Sequence, residues 1–109
     1  MRKYSAGEII EVVFPYEEGS GAKRRPALVI GDVGDDVIAA KITSKHKGLE
    51  WDIEIPKDGF NGLDVDSVVQ VDKIVSFKKN ELCAIIPRGN INPLQLAIVK
   101  DKIKQYRNI

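Results

Sequence analysis

The apolar residues of this chain fall in short β-branched runs broken by turn residues, and helical spacing emerges only from Asn92 onward. The runs "EIIEVVF" at 8–14, "PALVIGD" at 26–32, "VIAAKIT" at 37–43, "LEWDIEI" at 49–55 and "SVVQVDKIVSF" at 67–77 each read as a strand. In "LEWDIEI" the alternation is strict. Leu49, Trp51, Ile53 and Ile55 share one face, and Glu50, Asp52 and Glu54 the other, as in a half-buried antiparallel strand. Pro26 is expected at the first position of its strand, where no ladder donor is needed. "KKNEL" reads as a short helical turn, "CAIIP" as a short strand or extended piece, and "RGNIN" as a break. Asn92 and Pro93 supply an N-cap and a first helical residue. Leu94, Ile98 and Ile103 form the expected apolar stripe, with Leu96, Ala97 and Val99 beside them, and Lys100, Lys102 and Lys104 suit the C-terminal half. Five or six strands, one terminal helix and no β-α-β alternation predict a mainly β fold with α: a small antiparallel barrel or curled sheet.

With 109 residues the chain is read as one domain, 1–109. Seventeen basic against sixteen acidic residues leave a net charge of +1, which neither requires nor excludes a polyanionic partner. The local distribution says more. Lys23, Arg24 and Arg25 form one basic run, and Lys41, Lys45, His46 and Lys47 another, while the acids gather at Asp32, Asp35 and Asp36 and at Glu50, Asp52 and Glu54. Cys83 is the single cysteine, so no disulfide frame or thiolate cage is possible, and in "LCAIIP" it reads as a small buried thiol. One cysteine and no secretory leader at the start point to a cytoplasmic protein, and no window approaches a membrane span. With one histidine and acids placed in turns, neither a metal site nor a cofactor is expected, and "GSGAKRR" lacks the spacing of a phosphate-binding glycine loop.

What remains is arginine, hydroxyl and carboxylate chemistry. The segment 15–25, "PYEEGSGAKRR", is long for a connection in a compact domain, and such loops are often functional. Arg25 precedes Pro26, which confines its backbone to extended conformations and holds a bidentate guanidinium at a strand entrance. A solvated loop edge is the competing reading. Thr43 and Ser44 end their strand beside Lys45, suiting a phosphate or a developing oxyanion, though a β-favouring Thr before a turn Ser would look the same. Asp72 lies inside the apolar run "SVVQVDKIV" and is expected to face a partner, Arg25 being one candidate, in an ion pair that is structural or functional.

"GEIIEVVFPYEEGSGAKRRPALVIG", "VIAAKITS" and "GLDVDSVVQVDKI" resemble, in order, the three successive motifs of the MazF/PemK family of type II toxin–antitoxin toxins. The resemblance implies an SH3-like, CcdB/PemK-type barrel with a C-terminal helix, assembled as a homodimer. It implies a metal-independent endoribonuclease cutting single-stranded RNA by 2′-hydroxyl attack, leaving a 2′,3′-cyclic phosphate and a 5′-hydroxyl. Arg25 and Thr43 map onto the catalytic pair and Asp72 onto an aspartate that some members use in cleavage. Ser20, Lys23, Arg24, Ser44, Lys45 and Gln70 are the implied RNA contacts. Gln70 and Val75 stand where relatives carry arginines, so the cationic set is thinner. An antitoxin with an acidic, disordered tail is the implied partner, competing for the groove under the loop 15–23. Two other functions fit the same fold: a non-catalytic RNA- or protein-binding module, and a toxin directed at DNA gyrase.

Overall fold

The computed structural model describes residues 2–13, 24–45, 48–81 and 85–108, so the expectations for Ser20, Lys23, His46, Lys47 and Cys83 lie outside the described residues. Six strands make one antiparallel sheet: β1 (Glu8–Val13), β2 (Arg24–Asp32), β3 (Asp36–Thr43), β4 (Asp52–Ile55), β5 (Ser67–Lys78) and β6 (Ile86–Asn90). A single 3₁₀ turn at Lys79–Glu81 leaves β5, and helix α1 (Pro93–Arg107) follows β6. The expected mainly β fold with a C-terminal helix is the one observed.

The strands lie in the order β4-β5-β3-β2-β1-β6. The ladder is open, since no pairing joins β4 to β6 among the described residues. The turn that follows β4 crosses the gap instead. The Asn90 N–H donates to the Phe60 carbonyl at 2.9 Å, and Arg88 Nε donates to the Gly62 carbonyl at 2.9 Å. This approach needs glycine on both sides, because a Cβ on Gly62 would fall on the Arg88 carbonyl and one on Gly89 on the Phe60 carbonyl. A loop, rather than a sixth ladder, completes the wall of the curled sheet.

The central strands are apolar on both faces. Ile9, Leu28, Ala40, Ile42, Val69 and Val71 pack on one side with Val99 and Ile103 of α1. Ile10, Val12, Ala27, Val29, Val37, Ala39 and Phe77 pack on the other, where Tyr4 joins them. Fully burying a side chain such as Leu28, which has no exposed surface, contributes roughly 1.5–3 kcal/mol.

Four local expectations are corrected. Strand β4 begins at Asp52, not Leu49: Asp52 Oδ2 accepts from the Leu49 N–H at 3.3 Å, and that turn leaves Leu49 51% exposed. The segment "RGN" is not a break but the end of β6, where Pro87 is tolerated because β6 is an edge strand. Pro26 is the third residue of β2, which starts at Arg24. In α1 the cap is as expected, Asn92 Oδ1 accepting from the Leu94 N–H at 2.8 Å, but the residues it buries are Val99 and Ile103, with Leu96 half-buried against the same core. Leu94 and Ile98 face outward, 77% and 57% exposed. The Ile91 N–H is tied to the Gly7 carbonyl at 2.9 Å, and this anchor fixes the rotation of the first turn.

Candidate active site

Arg25 and Thr43 come together through register. Val12 of β1 pairs with Arg25, and Ala27 of β2 pairs with Lys41 of β3. Continued by two residues, the second register sets Arg25 opposite Thr43, and directly opposed residues hold their Cβ atoms about 5 Å apart. Both side chains are half-buried, and Thr43 pairs on its far side with Val68 of β5. Thr43 Oγ1 accepts from the Lys45 N–H at 3.2 Å, which orients the hydroxyl and leaves its hydrogen to donate. Arg24, Ser44 and Lys45 are exposed around this pair. A guanidinium fork beside an oriented hydroxyl suits a phosphoryl group.

The other two expected residues sit differently. Lys41 pairs with Gln70 but Ala40 with Ile74, so β5 bulges over 71–73. The bulge leaves Asp72 exposed, four residues along β5 from the partner of Thr43, a backbone span of roughly 13 Å. Asp72 is thus not a buried carboxylate seeking a partner, and it does not line the cleft described below. Gln70 is 6% exposed, between Lys41 and Asp52 on the Thr43 face of the sheet. Its Oε1 and Asp52 Oδ1 are buried with no hydrogen-bond partner among the described residues.

Beside Arg25 and Thr43 opens a cleft of about 170 Å³. Arg24, Arg25, Thr43 and Ser44 line it together with Glu11 and Arg88, and Leu63, Asp64 and Ser67 contribute to the lining. Arg88 has every arm engaged: Nη1 reaches Glu11 Oε1 at 2.8 Å, Nη2 reaches Asp64 Oδ2 at 3.0 Å, and Nε donates to the Gly62 carbonyl. Glu11 and Arg88 were not anticipated as site residues. The available signal was the carboxylate in the middle of "EIIEVVF", a charge that interrupts a buried strand. Among the described residues no three His, Cys, Asp or Glu side chains gather as metal ligands, and no helix is long and apolar enough to cross a membrane.

The whole chain overlays a MazF crystal structure from Deinococcus radiodurans, with a TM-score of 0.79, 23% identity and 100% of each chain covered. A MazE-MazF crystal structure from the same organism matches with a TM-score of 0.77 and 23% identity over 100% of this chain and 99% of that one. An endoribonuclease from a mycobacterial species, solved with its cognate antitoxin, matches with a TM-score of 0.73 and 16% identity over 95% and 94% of the two chains. At these identities the likeness is one of fold. Comparison with curated protein sequences finds no match. The family model for the PemK-like, MazF-like toxins of type II toxin–antitoxin systems matches residues 5–106. Covering the full sheet and all but the last residue of the helix in one alignment, that match establishes that the chain belongs to this toxin family.

Proposed function

We propose that this toxin is an endoribonuclease that cuts single-stranded RNA at a short sequence. The observation that carries the reading is the cross-strand placement of Arg25 and Thr43 beside an open cleft. In the reaction, the ribose 2′-oxygen attacks the adjacent phosphorus, the bond to the 5′-oxygen breaks, and the ends are a 2′,3′-cyclic phosphate and a 5′-hydroxyl. Arg25 stays charged throughout, because a guanidinium does not deprotonate in proteins, and offsets the charge that builds on the phosphoryl oxygens. Thr43, its oxygen held by the Lys45 amide, donates to one of those oxygens. No step assigned to these residues draws on a metal ion.

The solved relatives include toxins bound to antitoxins, which supports an antitoxin as the partner of this chain too. An acidic, disordered segment is the complement to Arg24, Arg25 and Lys45. A homodimer acting in the cytoplasm completes the proposal.

The test is to incubate the pure protein with long RNA in EDTA and map the fragment ends for wild type and Arg25→Ala. Cyclic phosphate ends that vanish in the variant, with its circular dichroism unchanged, are expected. RNA that is bound in a salt-sensitive way but left whole would assign a non-catalytic binding module instead. Intact RNA alongside trapped DNA breaks would assign a gyrase-directed toxin.

A further inference from the structure

We infer that the cleft between Glu11, Arg88 and Ser44 is a nucleobase pocket that selects guanine next to the phosphate held by Arg25 and Thr43. The inference rests on the ribonuclease reading for the phosphate's position, and on the cleft's own chemistry for the base.

Around Glu11 and Asp64, away from Arg25 and Thr43, the lining is wrong for a phosphate. Glu11 and Asp64 both present carboxylates to the cleft, and the cation between them, Arg88, is committed to both and to the Gly62 carbonyl. An anion placed between them would meet two carboxylates whose nearest shared cation, Arg88, is already engaged by both. What such a lining accepts is a neutral group rich in donors.

Glu11 is held to present a fork. Its Oε1 takes the Arg88 Nη1 donor at 2.8 Å, and no hydrogen bond among the described residues takes Oε2. A carboxylate offers about four lone-pair directions, so one bond to Arg88 leaves room for two more. Those match the adjacent N1–H and N2–H donors of guanine. Adenine and cytosine offer one amino group each on that edge, and uracil a single imide N–H between two carbonyls that a carboxylate repels.

Position supports the pairing. On β1 and β2 the alternation puts Glu11 opposite Pro26, and Arg25 opposite Val12, on the other face of the same ladder. Consecutive residues point to opposite faces of a strand. Arg25 and Thr43 nonetheless contribute to the lining of the cleft that holds Glu11, with Arg24 and Ser44 one residue away on the Glu11 face, so a phosphate on the pair adjoins the pocket. Arg24 adds a planar cation there, of the kind on which bases stack. Ser67 closes one lining position, its hydroxyl donating to the Val65 carbonyl at 3.0 Å, so it presents an acceptor rather than a donor.

The experiment measures binding of 2′-O-methyl hexanucleotides, which resist cleavage: oligouridine, the same strand with one guanine at each position in turn, and the inosine counterpart lacking the N2 amino group. Wild type is expected to prefer one guanine-bearing strand by roughly 10-fold or more, the discrimination of a good bidentate pair, and to lose most of that gain with inosine. In Glu11→Gln, which cannot accept both donors, the preference is expected to shrink to within about threefold. The inosine comparison needs no variant, so a misfolded Glu11→Gln does not spare the idea. Equal affinity for guanine and uridine strands in wild type overturns the pocket. So does tight binding of an arginine-bearing peptide with no base discrimination. If long RNA stays uncut while the guanine preference and its dependence on Glu11 hold, the ribonuclease reading fails and the pocket stands.

Discussion

Lys79 Nζ lies 2.7 Å from Asp32 Oδ2, and both side chains are almost wholly shielded from water. The pair joins the end of β2 to the 3₁₀ turn after β5, and the same carboxylate oxygen accepts from the Tyr4 N–H at 2.7 Å. Three separate stretches of chain meet at one acid. The Lys79 hydrogen bond and the Tyr4 amide hold the Asp32 carboxyl at about 2, below its ordinary 3.8. A depressed value means that Asp32 favours the fold fully above pH 4, and that this contribution is lost as pH falls from about 4 toward 2. Asp32→Asn should flatten the fall in melting temperature across that window relative to wild type. Lys79→Ala should lower the melting temperature at pH 7, because it takes the cationic partner from the Asp32 carboxylate. Thermal melts followed by circular dichroism from pH 2 to 7 check both.

Gly34 and Gly62 share a left-handed backbone but not a setting. Gly34 has φ +87 with open space around its missing side chain, whereas a Cβ on Gly62, φ +69, would collide with the Arg88 carbonyl. Gly34→Ala should cost about 1–2 kcal/mol from the backbone alone. Gly62→Ala should cost about 3 kcal/mol or more, since the loop must also move away from β6. Urea midpoints of the two variants, measured side by side, should differ in that order, and equal values would show that the loop yields freely.

Asn61 is the buried pivot of that loop. Its Nδ2 donates to the Pro56 carbonyl at 2.9 Å, and its Oδ1 accepts from the Leu63 N–H at 3.0 Å. Asn61→Ala leaves those backbone groups unsatisfied and should cost about 2–3 kcal/mol. Because Leu63 and Asp64 line the cleft, RNA affinity should fall as well, which filter binding on the folded variant can measure.

For the proposed chemistry, Thr43→Val keeps the shape and removes the donor. Single-turnover cleavage should slow about 100-fold or more, while Thr43→Ser should keep most of the rate. Equal rates in Thr43→Val and wild type would remove Thr43 from the reaction.

Much of the architecture was legible because the strands are short, β-branched and bounded by turn residues. Arg25 and Thr43 could be singled out from Pro26 and from a strand end, but their meeting depended on register, which composition does not encode. Asp72 misled because a bulge is invisible in an apolar run: "SVVQVDKIV" reads as one continuous strand, yet three of its residues span a single step. The helix misled for another reason. Leu94–Ile98 and Leu96–Val99–Ile103 are both acceptable stripes, and only the upstream anchor at Gly7 decides between them. Glu11 and Arg88 are 77 residues apart, and nothing local announces the contact.

A sheet with oil on both sides has an uncommon vulnerability. Where one face is wet, sliding a strand by one position drives its greasy residues into solvent and is rejected at once. Here β2 and β3 would find a hydrophobic neighbour in either phase, so that penalty is weak along their middles. Correct alignment must then come from volume and from fixed points: the alanines at 27, 39 and 40 that admit only certain partners, and the Lys79–Asp32 clasp that fits one phase alone. Weakening that clasp should therefore show itself as misaligned, association-prone chains during refolding, and not merely as a lower melting point.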